Sequence, residues 1–476
     1  MIAKLSLIVG SLLAIGGLAV LGMAAFRGLE EPPEGPTATQ DTIATGTPLF
    51  SARRLPSWTT EPLARHELAA ALDPIVATAP PDTCVQVGDG TNAWYSHNSA
   101  APLVPASNMK LITAAAAVDI LGEDTVLTTQ FLGDSAISGG TVTGNLYMVG
   151  GGDPLLTSDG YQVNRTNYSL PETDLEAVAD QLVESGLRTV TGSVVGDSSH
   201  YDGNQSVASW PSRYFGDGTV GPLSGLVVND GWLIEPTTGE GVGGPVPDPA
   251  AHAASVLSTL LAQRGVVVAG PASSGQASAS ATLIHEVDSL PVRELTAQAL
   301  SHSDNTSADL LLKEIGLVDR NDPSTAGGTA AVTEWATAQG YPLAGMTVVD
   351  GSGLSYDNRL SCDLIGAVLR GAGPEGAIEE GLAVPGEPGT LFQRFGDGDW
   401  ASRLRAKTGS LNVVTALSGW LDTANGATLD FEMLINTGDR RPNGDDINLQ
   451  QQVLTALLAH PKTPPIDEAG PLPLPS

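Results

Sequence analysis

Lysine is scarce in this 476-residue chain. There are five, Lys4, Lys110, Lys313, Lys407 and Lys462, against 17 arginines, so each lysine in the body is conspicuous. Basic residues of both kinds number 22 and acidic ones 53, a formal net charge of −31. A chain of that charge offers no clamp for a polyanion, which excludes nucleic-acid binding. HExxH, P-loop and GxSxG motifs are absent, and the seven histidines are dispersed as surface or satisfied residues, with only His302, beside Ser303, worth watching. No metal or organic cofactor is expected. Two stretches fit GxGxxG, at 216–221 and 371–376, but Pro222 and Pro374 break the helix that a dinucleotide fingerprint must open, so both are turns. No repeat of solenoid or propeller period is present, and there is no second long apolar run. Charged residues at 16% and hydrophobic ones at 41% are the composition of a globular protein rather than a disordered one.

The one long apolar run, residues 5–26, lies between Lys4 and Arg27 and is long enough to span a bilayer as a helix. It reads as a membrane anchor, with a cleaved signal as the alternative, so 1–27 is a targeting segment and the rest is exported. Export puts the only cysteines, Cys84 and Cys362, where a disulfide persists. The pair is expected to bond, both members falling outside a presumed insertion, with two buried thiols as the alternative. Residues 28–56 form a Pro/Thr-rich linker and 463–476 a Pro-rich tail.

The body begins with a helical pattern at His66–Val76, then the alternating stretch TCVQV and a GDGTN turn into AWYSH, a hairpin. From Ser107, SNMKLITAAAAVDILG is apolar along its length and ends at Gly122, as a buried helix does. Between 124 and 285 the texture changes to strand pieces (VLTTQFLG, GNLYMVG, GLVVNDGWLIEP) with helices near 172–185 and 250–263, which marks an insertion. Helices return after 286. The strands RLRAKTGSL, VVTALSGWL and ATLDFEML follow, the last two flanking the hairpin signal Asn425-Gly426, and a helix near 446–459 covers the sheet. The helical and sheet segments 57–123 and 286–462 thus form one domain, split by 124–285.

Three short motifs carry chemistry. Ser107 and Lys110 lie one turn apart on one helix face, and a lysine in an apolar wall loses its proton more readily than in water. The lysine can then deprotonate the serine, making nucleophile and base from one turn. An isolated SxxK is more often a helix cap and a snorkelling lysine, but here it occurs once. Ser303-Asp304-Asn305 supplies a hydroxyl and an amide between two helical segments. Ser96-His97-Asn98 and Ser410-Leu411-Asn412 also fit SxN, yet only Ser303 lies between the SxxK and Lys407-Thr408-Gly409. In that third motif Lys and Thr can bind a carboxylate, and Gly lets a substrate backbone approach.

SxxK, SDN and KTG in this order make the signature of penicillin-binding proteins and class A β-lactamases. From about 66 to 459 the chain resembles the low-molecular-mass class C penicillin-binding proteins, the D-Ala-D-Ala carboxypeptidase/endopeptidases. The likeness rests on PASNMK around Ser107, GGGDP ending at Pro154, GDSSHYDG (196–203), LSGLVVNDG (223–231), SHSDNTSADLLLKEIG (301–316), DGSGLSYDNRLS (350–361) and AKTGSL (406–411). It implies an α+β penicilloyl-serine transferase fold of the β-lactamase/transpeptidase type, an antiparallel sheet between helical layers. It also implies that Ser107 attacks the D-Ala-D-Ala peptide carbonyl of peptidoglycan stem peptides with Lys110 as base, and that β-lactams acylate the same serine. Ser303 would relay the proton to the leaving nitrogen, Asn305 would hold the acyl side chain, Lys407 and Thr408 would bind the terminal carboxylate, Gly409 would line the substrate strand, and backbone N–H groups of Ser107 and Ser410 would form the oxyanion hole. Asp197 is a candidate contact for the stem-peptide side chain. Tyr356 stands where the family often has Arg, so the preference for a diaminopimelate side chain does not carry over. Two rivals stand beside this reading. One is a serine β-lactamase or esterase on the same fold, for which Tyr356-Asp357-Asn358 offers a YxN but no ExxLN is present. The other is a catalytically silent wall-binding protein.

Overall fold

The structure, a computed structural model, describes residues 57–460 apart from 159–160, 162–169, 235–240 and 397. The apolar run 5–26, the linker and the tail lie outside the described residues. Among the described residues no helix is long and apolar enough to cross a membrane.

Strand alternation builds the central sheet. Thr428–Asn436 sends Leu429, Phe431, Met433 and Ile435 to one face, and Asp430, Glu432 and Leu434 to the other. It pairs antiparallel with Val414–Asp422 and with Asp82–Gly88, and the full order is Leu404–Leu411, Val414–Asp422, Thr428–Asn436, Asp82–Gly88, Ala93–His97. On the first face the helices Ser57–Val76 and Gly444–Leu458 bury Leu68, Leu72, Val453 and Leu457 against it. On the other, Met109–Leu121 and Cys362–Ala372 do so, backed by Asn305–Arg320 and Thr325–Ala338. The result is the antiparallel sheet between helical layers that the sequence implies. The acids at 430 and 432 are buried beneath the helix Cys362–Ala372. Arg370 pairs with Asp430 at 2.5 Å, while burial, with Asp430 adding, holds the Glu432 carboxyl well above the usual range. Gly366 makes room for them, since a Cβ there would meet Gln86 Oε1 at 2.5 Å.

The insertion has a sheet and core of its own. The sheet runs Ser273–Ser274, Val194–Asp197, Leu146–Val149, Thr128–Gly133, Thr282–Asp288, parallel over its first three strands and antiparallel after them. The helices Leu175–Glu184 and Pro249–Gln263 close its core. Each is started by an aspartate accepting backbone N–H bonds, Asp174 and Asp248. Strand Thr282–Asp288 carries this sheet past residue 285, and the helical body resumes at Val292–Ser301. The stretch GLVVNDGWLIEP, expected as a strand piece, is strand at Trp232–Ile234 alone among its described residues. Asn229, Asp230 and Gly231 before it take left-handed backbone, φ 57°, 51° and 71°, which no strand tolerates.

Part of the expected insertion packs on the helical body instead. Tyr201, Trp210, Tyr214 and Val220 pack on Leu310 and Leu354. The buried Lys313 pairs with Asp202 and donates to Asn204 O at 3.0 Å, while His200 and the Tyr201 hydroxyl meet Glu314 at 2.7 and 2.9 Å. The segment 198–231 is thereby bolted to the helix that begins at Asn305.

Cys84 and Cys362 form a disulfide, Cα atoms 6.1 Å apart, tying the second-layer helix Cys362–Ala372 to the strand Asp82–Gly88. Closing a loop of 278 residues is worth on the order of 5 kcal/mol in the chain-entropy model. Alkylating the denatured protein should add nothing to its mass until a reductant is supplied, after which two adducts appear. Reduction should also lower the thermal midpoint.

Candidate active site

The turn before the buried helix sets the position of Ser107. Ala106 adopts φ +49°, a left-handed conformation that costs a non-glycine residue about 1–2 kcal/mol. It leads into a short 3₁₀ turn, Ala106–Asn108, so Ser107 is part of that turn and no helix cap. Two close approaches hold it. A Cβ on Gly353 would lie 1.9 Å from Ala106 O, and one on Gly409 would lie 3.0 Å from Pro105 O and 2.9 Å from Ala416 Cβ. Gly409 therefore serves the packing of strand against turn as well as substrate access. Asn108, fully buried, donates to Ser418 Oγ at 2.7 Å and fastens the turn to the sheet.

Lys110 is 1% exposed, and its amine has three acceptors from three elements: Ser107 Oγ at 3.2 Å, Asn305 Oδ1 at 2.7 Å and Ser352 O at 2.7 Å. Burial pulls its pKa down from the ordinary lysine value to about 8, and the carboxylates of Asp309, Asp304 and Asp350 oppose the fall. Asp309 is itself fully buried, one turn beyond Asn305, and accepts from Gly351 N at 2.7 Å. Burial pushes its carboxyl up to about 7, with Asp350 adding and the Ser352, Gly351 and Lys110 groups opposing. The loop that presents Ser352 O is held by Asp350, whose carboxylate takes bonds from Gly353 N, Ser355 N, Asn358 Nδ2 and Trp210 Nε1, all at 2.7–2.8 Å.

Asn305 opens its helix and has little freedom. Its Nδ2 donates to Thr219 O at 2.7 Å, which turns Oδ1 towards Lys110. Ser303 sits at φ +59°, and its hydroxyl accepts from Lys407 Nζ at 2.9 Å. Lys407 also donates to Thr408 O at 2.8 Å and is fully buried. Burial, with the charge of Lys110 adding, holds its pKa well below the usual lysine value. The strand Leu404–Leu411 thus delivers KTG beside SDN.

Ser107, Ser303, Asn305, Thr408 and Ser410 line one cleft of about 960 Å³, with Tyr356, Arg213 and Arg441 on its walls. Motifs 196 and 300 residues from Ser107 in the chain meet there. Asp197 does not. It is 4% exposed in the insertion, and its carboxylate oxygens accept from Ser199 N at 2.9 Å and Ala277 N at 2.7 Å, so the expected contact with a stem-peptide side chain is corrected: this acid shapes a turn. The YxN alternative also fails on geometry, since Asn358 is fully buried and spends its amide on Asp350 and Ser355 O. Tyr356 does face the cleft, its hydroxyl accepting from Asn412 N at 3.2 Å. Reasoning from sequence missed Asp309, Ser352 and Thr219. For Asp309 a signal existed, an acid four residues after Asn305 and hence on the same face of a helix otherwise rich in leucine; backbone carbonyls such as Ser352 O and Thr219 O leave none. Among the described residues no group of three His, Cys, Asp or Glu side chains is placed to hold a metal ion.

The chain is similar along most of its length to known proteins. It is 28% identical to carboxypeptidase Rv3627c of Mycobacterium tuberculosis over 437 residues, 88% of each chain. It is 30% identical to carboxypeptidase DacB of Mycolicibacterium smegmatis, over 78% of this chain and 80% of that one. The fold matches the crystal structure of penicillin binding protein 4 from Haemophilus influenzae at a TM-score of 0.69 and 20% identity, over 81% of this chain and 99% of that one. The β-lactam complex of that protein matches at 0.61 and 21% over the same shares. A family model agrees across residues 68–246 and 231–457, and on that match the chain belongs to the D-Ala-D-Ala carboxypeptidase 3 (S13) family.

Proposed function

We propose that this protein is an exported serine DD-peptidase that hydrolyses the D-Ala-D-Ala bond of peptidoglycan stem peptides, and the cross-links made from it, through an acyl-enzyme on Ser107. One observation supports the residue roles: the amine of the buried Lys110, its pKa pulled down to about 8 by burial, lies 3.2 Å from the hydroxyl of Ser107, which lines one cleft with Ser303, Asn305, Thr408 and Ser410. At pH 7 about a tenth of that lysine is neutral and able to accept a proton. S13 enzymes act on the cell wall, so the site works outside the cytoplasm. We read the apolar segment 5–26 as the anchor that holds it at the membrane.

The bonds of Lys110 to Ser107 and of Lys407 to Ser303 support the following sequence of steps. Ser107 Oγ bonds to the scissile carbonyl carbon as Lys110 Nζ takes its proton. The negative oxygen faces the N–H groups of Ser107 and Ser410, each worth about 2.7–4 kcal/mol if it behaves as such donors do elsewhere. The C–N bond breaks, and the proton held by Lys110 passes to the leaving nitrogen through Ser303, which returns Lys110 to its neutral state. Lys110 next deprotonates a water that attacks the ester, and the proton goes back to Ser107 as the acid product leaves. Asn305 keeps one N–H beyond its bond to Thr219, free for the acyl chain. Burial, with the charge of Lys110 adding, lowers the pKa of Lys407, and a substrate carboxylate arriving beside it and Thr408 favours its charged form. A β-lactam enters by the first half of the same path.

Three tests address this reading. Ser107→Ala should abolish covalent labelling by fluorescent penicillin and leave the melting temperature unchanged, and an adduct found by mass spectrometry on another serine sinks the assignment. Lys407→Gln should lower kcat/KM for a carboxylate-bearing D-Ala-D-Ala peptide by about a hundredfold, the scale of a lost buried charge contact. Unchanged hydrolysis would remove KTG from the mechanism. The third concerns pH. A base must be unprotonated to act, so the acylation rate should rise about tenfold per unit below pH 8 and level off above it. Asp309→Asn removes the carboxylate that most opposes proton loss from Lys110, so the limb should move to lower pH. A shift to higher pH contradicts the part given to Asp309.

A further inference from the structure

Three helices end at one place. Met109–Leu121, Thr325–Ala338 and Cys362–Ala372 each bring the last turn, or the residues just after it, to a cavity of about 470 Å³ that shares no residue with the Ser107 cleft. Asp119 comes from the first helix, Trp335 from the second and Gly371 from the third, with Glu123 and Tyr341 following the first two. The carbonyl end of a helix carries about half an elementary negative charge, which a nearby cation stabilises. Here the chain supplies none. The first two helices have no basic residue in the last turn, and Arg370 of the third turns inwards to Asp430 and Gln86. Arg293, whose backbone N–H donates to Glu123 O, sends its guanidinium to Asp124 at 3.5 Å. Among the described residues the wall of the cavity has two acids, Asp119 and Glu123, and no base.

The polar groups are held in place. Asp119 Oδ2 accepts from Trp335 Nε1 at 2.8 Å and from Gln339 Nε2 at 3.1 Å, so the carboxylate is oriented while Oδ1, on an exposed residue, stays open to a further donor. The rings of Trp335 and Tyr341 meet edge to face, centroids 5.5 Å apart and planes at 70°, which makes an aromatic corner beside that carboxylate. Glycine at 371 leaves room for the Tyr341 hydroxyl, since a Cβ there would lie 2.3 Å from it. Burial, with the Asp119 carboxylate adding, raises the pKa of this phenol, so it stays a neutral hydroxyl whose oxygen can accept a bond. An anion would be repelled by both acids and by the helix ends, and a neutral apolar molecule would leave them uncompensated. A bare metal ion would find no third His, Cys, Asp or Glu among the described residues and no use for the rings. A cation with an apolar stem uses every part of the wall, and the volume lies within the ~300–1,000 Å³ of pockets that hold small ligands.

We infer that this cavity binds an alkylammonium group, with the ammonium against the carboxylates of Asp119 and Glu123 and its carbon stem on Trp335 and Tyr341. A free alkylamine has this chemistry, and so does the side chain of lysine or of another diamino acid in a peptide. The site is separate from the Ser107 cleft and does not depend on the DD-peptidase reading.

Binding to the full-length protein should be measured by calorimetry with n-butylammonium, with its neutral counterpart butan-1-ol, and with Nα-acetyl-lysine methylamide. n-Butylammonium should bind saturably, at least about fivefold more tightly than butan-1-ol, and more weakly as NaCl is added. Asp119→Asn keeps an acceptor for Trp335 but removes the charge, and Glu123→Gln changes an exposed side chain beyond the helix end, where the core is not disturbed. Each should weaken n-butylammonium by about threefold and leave butan-1-ol unchanged, the scale of one partly exposed ion pair. A lysine derivative that binds at least as well as n-butylammonium extends the site to a peptide side chain, and one that fails while n-butylammonium binds assigns it to free amines. Butan-1-ol binding as tightly as the amine, an amine that does not saturate, or an affinity for the amine that neither variant changes overturns the inference.

Discussion

Everything at the site depends on an amine held away from water. Lys110 sits inside the wall between the sheet and the helices, and its three acceptors come from its own turn, from the helix starting at Asn305, and from the loop at Ser352. Burying a charged ammonium costs several kcal/mol unless it is paired, and the protein compromises. Burial favours the neutral base, while Asp309, Asp304 and Asp350 pull towards the charged form. The balance leaves a group that changes state close to neutral pH, which is what a base for a serine hydroxyl requires. Because each acceptor belongs to a different element, a shift in any one of them would reach the Lys110–Ser107 contact.

That dependence explains why part of the insertion is fixed so firmly. Asn305 can offer Oδ1 to Lys110 because its amine end is taken by Thr219 O, a backbone atom of the segment 198–231. The same segment is anchored more than two turns along the helix by the Lys313–Asp202 pair and by His200 and Tyr201 on Glu314. Lys313 is the one lysine of the body that lies outside the SxxK and KTG motifs, and it holds this wall in place. The side chain of an active-site residue is thus oriented by chain that lies some 85 residues before it and packs beside a different sheet.

Strain and close approach complete the arrangement. Ala106 and Ser303 both carry left-handed backbone without being glycine, and both are locked by packing: Gly353 and Gly409 against the first, Lys407 against the second. Positions held so by their surroundings concentrate where a protein has to present a reactive group in one orientation. The disulfide secures the layer behind, joining the first strand to a helix that also covers the buried acids of the neighbouring strand.

Much of this was legible in the order of residues. The scarcity of lysine drew attention to Lys110 and Lys407, the spacing of Ser107 and Lys110 put them on one helix face, and alternation at Thr428–Asn436 marked a strand with one fully apolar side. Such signals are local, and local geometry follows from periodicities of two and 3.6 residues. What only the tertiary structure decided is which distant atoms meet. That Thr219 O turns Asn305, that Asp309 lies near Lys110, and that Asp197 points into a turn of its own sheet are consequences of packing between elements. Backbone carbonyls are the same in every residue, so the sequence does not mark those that will receive a catalytic amine; the direction of an acid at a strand end depends on the loop that happens to fold over it.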